Sequence, residues 1–222
     1  MINFKSVYKN LKEQSSRVGY RRAVSHLVYQ KANAVFSVRR FDVVYLNHDF
    51  LTPLDPAKYT GISSRLATEE DLLKMRAEKK WLITDELMEN FRQGDSCLMS
   101  FVNDNLAGYT WIHTAGCPRL VPGLTVSIPE NYGYNFAGFT LPEFRGFGLQ
   151  SYRHHAILNR PELGGKTGMI GYVDATNWSS KKGQAKSGFQ KLGTLTLVGT
   201  KNRFKVIVSE ELKKFGIRRL DA

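Results

Sequence analysis

Residues 139–158, FTLPEFRGFGLQSYRHHAIL, constrain the fold more than any other stretch of this sequence. An extended run meets a turn at Pro142. Arg145-Gly146-Phe147-Gly148 then leads into a helical pattern with Leu149, Tyr152 and Ala156 on one face. Pro161 stops the helix, and Thr167 to Asp174 reads as another strand. Two glycines at a strand-to-helix junction let backbone amides turn toward a ligand. The helix N-terminus adds free N–H groups and partial positive charge, which suits a pyrophosphate.

The flanking sequence alternates between strand and helix patterns. Tyr59 to Leu66 reads as a strand, and Thr68 as the start of a helix with Glu69, Glu70 and Asp71 in its first turn. The helical pattern runs through Met75 and, after a break, from Leu87 to Phe91. Ser96 to Val102 and Leu106 to His113 form a hairpin across Asn103-Asp104-Asn105. Gly116 to Ile128 reads as a loop and Gly133 to Leu141 as a strand. Asn177 to Ser187 reads as a short helix, and Leu192–Gly199 with Phe204–Val208 as a closing hairpin. The expected class is α/β (α+β), a mixed sheet flanked by helices. No Walker sequence and no complete GxGxxG occurs.

Charge sets the N-terminal segment apart. The chain carries a formal +12 over 222 residues. Lys5, Lys9, Lys12, Arg17, Arg21, Arg22, Lys31, Arg39 and Arg40 against Glu13 put nine minus one, or +8, in residues 1–40. Apolar residues recur at helical spacing through residue 31 (Phe4, Val7, Tyr8, Leu11; Tyr20, Val24, Leu27, Val28), and Phe36 to Leu46 reads as extended, suited to an edge strand. Pro53 and Pro56 mark a boundary near residue 57. The expected organisation is a basic extension over 1–57 and an α/β domain over 58–222. The extension suits docking on the domain, an anionic membrane surface or an acidic carrier protein, with nucleic acid ranked below these. Lysines break the N-terminus before a signal-peptide core forms, and no run of roughly 20 apolar residues occurs. The expected location is cytoplasmic, with peripheral contact at the inner membrane face. Cys97 and Cys117 lack metal or disulfide spacing, and the side chains of His154 and His155 diverge by roughly 100° on a helix, so no metal is expected.

A second segment gives the first its meaning. After the strand ending at Asp174 comes NWSSKKGQAKSGF, in which Asn177 is followed eleven and twelve residues later by Gly188-Phe189. Pro-Glu-aromatic-Arg-Gly-x-Gly followed by this spacing, with a strand between, resembles the GNAT superfamily of N-acyltransferases. The resemblance covers residues 58–210 loosely. It implies a twisted, mostly antiparallel sheet whose strands splay before the two signatures, with acyl-CoA in the gap. By position, Thr140 pairs with the pantetheine arm, and Arg145, Gly146, Phe147, Gly148, Leu149 and Gln150 supply amides to the pyrophosphate. Asn177 bonds the arm, with Ser180 one turn further on.

The resemblance implies transfer of an acetyl or longer acyl group from acyl-CoA to a primary amine of a small molecule by direct attack. Gln184 stands where the family often has a tyrosine that protonates the departing thiolate. A carboxamide has no such proton to give, though it can hydrogen-bond the sulfur. Gln150 stands where the family usually has Gly or Ala. His113 is the candidate base; Tyr134 and Gln184 are the other candidate catalytic residues, and Asp174 reads as a cap. The alternatives are an acyl-carrier-protein donor, or a binding protein on a catalytically weakened scaffold.

Overall fold

The computed structural model describes residues 38–79, 81–116, 118–121, 124–160, 165–200 and 203–220, with Arg21 and Val24. The helices expected over residues 1–31 lie outside these, apart from Arg21 and Val24, both helical. An eight-stranded sheet runs in the order β10-β9-β1-β8-β7-β4-β3-β2. Its strands are β1 (Val38–Asn47), β2 (Ile62–Leu66), β3 (Ser96–Val102), β4 (Asn105–His113), β7 (Tyr132–Thr140), β8 (Gly168–Asp174), β9 (Gln190–Thr200) and β10 (Arg203–Val208). Every neighbouring pair is antiparallel except β7 and β8. Parallel neighbours need a crossover connection; helix α3 (Leu149–Leu158) supplies it.

Local chemistry sets most elements. Thr68 and Asp71 form a reciprocal capping box at the start of α1 (Glu69–Glu78), and Thr84 caps α2 (Asp85–Arg92). Asn103 and Asp104 adopt positive φ in a two-residue turn joining β3 to β4. Asn177 caps α4 (Trp178–Ser187) through Ser180 N. Ile157, Leu158 and Phe189 pack with Val44, Leu46, Ile112 and Met169 beneath α3 and α4. Leu72, Met75, Leu82 and Met88 pack with Met99, Tyr109 and Trp111 on the α1–α2 side.

Two arrangements differ from the sequence expectation. β1 is not an edge strand: β8 pairs along one side and β9 along the other. A chain boundary at residue 57 therefore does not separate β1 from the sheet of the domain. The one acid of the strand is accommodated inside, because buried Asp42 pairs with Lys181 of α4 and with Lys191, the latter at 2.7 Å. Burial alone would raise the Asp42 carboxyl; the two ammonium groups instead hold it below its ordinary value. The second difference is Gly116 to Ile128, expected as loop. It contains β5 (Arg119–Val121) and β6 (Leu124–Ser127), which form a small sheet with C-terminal β11 (Arg218–Leu220). A short helix, α5 (Glu210–Lys214), precedes β11.

α3 carries a buried histidine. His154 Nδ1 lies 2.8 Å from Ser187 Oγ, and its ring meets Phe189 edge-on at 4.8 Å. Burial, reinforced by Arg153 and His155, lowers its pKa to about 3. An unfolded histidine titrates near 6.5, so on acidification the unfolded chain binds this proton first. The contribution is complete above about pH 6.5 and shrinks toward pH 3 by about 1.4 kcal/mol per unit. Urea unfolding should show a loss of about 2 kcal/mol between pH 7 and pH 5 from this residue, absent in His154→Asn. An identical pH dependence in both proteins would contradict the assignment.

Candidate active site

β7 and β8 pair only from Tyr132↔Gly168 to Asn135↔Gly171. Beyond that point β7 continues to Thr140 and β8 to Asp174 without pairing to each other. The cause is local. On the other side of β7, Trp111 faces Phe136 and Tyr109 faces Phe139, so Thr110 alone spans Ala137 and Gly138. Ala137 takes a φ of 45°, and both residues of the bulge are exposed. Thr110 Oγ1 donates to Asn135 Oδ1 at 2.6 Å and pins the bulge at the last paired residue. The result is a V-shaped gap with unpaired strand backbone on its walls.

The glycine loop lies at the open end of β7. A 3₁₀ turn over Pro142–Phe144 delivers the chain to Arg145. Gly146 (φ 96°) and Gly148 (φ 75°) are left-handed, a region side chains beyond glycine rarely occupy. Gly148 is the N-cap of α3; no side chain caps this helix, and its first turn holds no acid. Its N–H groups thus face the loop without a carboxylate, an arrangement suited to an anion. Phe147 is exposed, whereas Leu149 is buried and contributes only backbone. Arg145 Nε donates to Thr140 O at 3.2 Å, so that carbonyl is engaged from within the loop. Tyr59 sits over the loop: a Cβ at Gly148 would lie 2.8 Å from its hydroxyl oxygen. Nothing in the sequence around Pro56 signalled that placement.

Two faces meet at the apex of the gap. From the α4 face comes Gln184, buried at 8% exposure, with Oε1 lacking any partner. Its Nε2 lies near Gly171, the last paired residue of β8, 3.8 Å from where a Cβ would stand. Side chains alternate along strands, so Trp111, His113, Tyr134 and Phe136 occupy the opposite face. Tyr134 stacks on Phe136 at 5.4 Å and on Tyr172 at 6.0 Å. His113 Nδ1 lies 2.6 Å from Asp95 Oδ1, and its Nε2 is buried without a partner. Its register partner is Tyr134, one strand over and two residues, roughly 7 Å along the strand, from the start of the gap. Burial raises the Tyr134 phenol well above its ordinary value, so at neutral pH it stays protonated.

No protein-family model matches the chain, and no curated protein sequence matches it. Solved structures do. A GNAT-family acetyltransferase from Novosphingobium aromaticivorans superposes with a TM-score of 0.50 at 17% identity over 72% of this chain. A GCN5-related N-acetyltransferase from Kribbella flavida gives 0.51 at 14% over 79%, and a GNAT-family acetyltransferase from Colwellia psychrerythraea 0.51 at 13% over 78%. This chain has the GNAT fold. It spans 63%, 63% and 62% of those three chains, respectively.

On the GNAT frame the sequence-selected residues divide. Thr140, Arg145 to Gln150 and Gln184 gather around the gap and its loop. Asn177 and Ser180 form the first turn of α4, where Asn177 Oδ1 accepts from Ser180 N and Ser179 Oγ. Asp174 accepts from Thr176 N and Oγ1, the capping role expected for it. Lys181 of α4 is tied to Asp42 and lies over the Trp178 ring. Among the described residues no three His, Cys, Asp or Glu side chains gather as a metal site. Asp95 and Arg153 were not singled out from sequence, because each gains its meaning from a partner distant in the chain.

Gln150 turns across to α4. A Cβ at Gly183 would lie 2.1 Å from its Oε1, so a larger residue there requires the Gln150 side chain to move. Gly183→Ala in a Gln150→Ala background should stabilise the fold by about 1 kcal/mol, the helix-propensity gain. In the wild-type background that gain should shrink or vanish. Equal gains in both would contradict the contact.

Proposed function

We propose that the protein transfers an acyl group from acyl-CoA to a primary amine of a small molecule. The observation that carries this reading is the parting of β7 and β8 directly beside a glycine loop at the N-terminus of a helix whose first turn holds no acid. An extended pantetheine arm fits the open walls of the gap. A diphosphate fits the amides of Arg145 to Gln150. The unpartnered Gln184 Oε1 and the nearby Nε2 stand at the apex, where a thioester would end.

In this reading the amine enters from the aromatic face. Asp95 orients His113, and a water between His113 and the apex carries the amine proton to the imidazole. The amine nitrogen forms the new bond to the acyl carbon, the C–S bond breaks, and the thiolate takes its proton from solvent. Gln184 hydrogen-bonds the sulfur or carbonyl but supplies no proton. The acyl length, the acceptor and the use of a carrier protein as donor belong to the same proposal, as does an anionic partner for basic residues 1–40.

Phe147 gives a clean test, since it is 53% exposed in the loop. Phe147→Asp places a carboxylate beside the diphosphate and should weaken acetyl-CoA binding at least about tenfold, the effect of a unit charge at roughly 10 Å in a partly buried site. Calorimetry reads the affinity, and thiol release with an amine panel reads turnover. Acetyl-CoA binding without thiol release on any amine would favour the weakened-scaffold reading. No acyl-CoA binding by the wild type would overturn the proposal.

A further inference from the structure

α3 buries a charge that has no counter-charge. Arg153 is 2% exposed, and its guanidinium contacts neutral oxygens only. Nη1 donates to Ser100 Oγ and Nη2 to Thr140 Oγ1, both at 2.9 Å, while Nε has no partner. Ser100 Oγ passes the chain on by donating to Gly108 O at 3.2 Å. Gly108 is glycine because a Cβ there would lie 2.8 Å from Nη1 and 2.4 Å from Phe139 O. Among the described residues no carboxylate forms an ion pair with Arg153 or with Arg145.

Removing a charge from water is costly, and natural proteins retain buried cations mostly beside acids. Burial lowers the Arg153 pKa to about 10, so the group stays charged at neutral pH. It is fixed on the side-chain oxygen of Thr140, whose carbonyl is held by Arg145 from the glycine loop. Two guanidinium groups without acid partners thus converge on the last residue of β7. Beside them lies a helix N-terminus that holds no acid. Glu143, two residues before Arg145, is exposed and forms no ion pair with either arginine among the described residues, so an anion at the loop would meet net positive charge.

We propose that Arg153 is a positioning residue for the diphosphate of the acyl donor, holding Thr140 and supplying from inside the core the positive field that selects an anionic ligand at the loop. This rests on the acyl-CoA reading above and adds to it the source of donor selectivity. The same residue explains why α3, apolar at Leu149, Ile157 and Leu158, keeps an arginine in its interior.

The test compares a charged with an uncharged ligand. CoA carries the diphosphate, whereas pantetheine carries the arm alone. CoA affinity is read by calorimetry and pantetheine affinity by ligand-observed NMR. Arg153→Met should weaken CoA at least about tenfold while changing pantetheine by less than about threefold, and Arg153→Lys should keep the wild-type preference for CoA. If Arg153→Met does not fold, Arg153→Gln provides the neutral arm. Parallel loss of both ligands would assign Arg153 a purely structural role, and unchanged CoA affinity would remove it from the site; either result overturns the inference. A wild type that binds no CoA would instead fail the acyltransferase reading itself, and is distinguishable because it appears before any substitution.

Discussion

The bulge at Ala137 and Gly138 is the constraint on which the rest of the site depends. By opposing one residue of β4 with two of β7, it turns β7 away from β8 after Asn135. A continuous parallel pairing there would satisfy the strand backbone and leave nothing to bind. The bond from Thr110 to Asn135 holds the turn at its start, and Arg145 holds Thr140 at its end. Between these two fixed points the strand edge faces open space. Backbone groups left without a ladder partner favour a ligand that presents amides in extended form.

The second element of the design is the way charge is distributed around that gap. Asp42 draws Lys181 of α4 and Lys191 to the β1 side. Around the loop the balance is reversed: Arg145 and Arg153 form no ion pair among the described residues, and the first turn of α3 holds no acid. Two cations are thus paired with Asp42 along β1, while Arg145 and Arg153 are left without an acid partner among the described residues beside the loop. The same pairs help tie β1 into the fold alongside its ladders to β8 and β9, because they neutralise its buried carboxylate.

How much of this was legible in the sequence depends on how local each cause is. The capping box at Thr68, the Asn103-Asp104 turn and the glycine loop are set by neighbouring residues, and each was readable. Asn177 and Gly188-Phe189 were readable as a spacing. β1 was read as extended but not as internal, because the strands that flank it and the lysines that neutralise Asp42 come from distant segments. β5 and β6 were missed because their third strand lies some ninety residues later and each is very short. His113 drew notice as a histidine at a strand end, but Asp95, which orients it, reads only as a turn residue. Arg153 was invisible for the same reason: on a helix, an arginine looks like surface until packing shows otherwise.

The central claim is that the gap between β7 and β8 and the adjoining glycine loop form one binding site. Hydrogen exchange with mass spectrometry, in the presence and absence of acetyl-CoA, tests it most directly because it reads the backbone groups on which the claim rests. The account predicts protection concentrated in residues 136–152, at the free edge of β7 and the first turn of α3, with a smaller effect at the start of α4. Protection confined to other segments, or none at saturating acetyl-CoA, would contradict it.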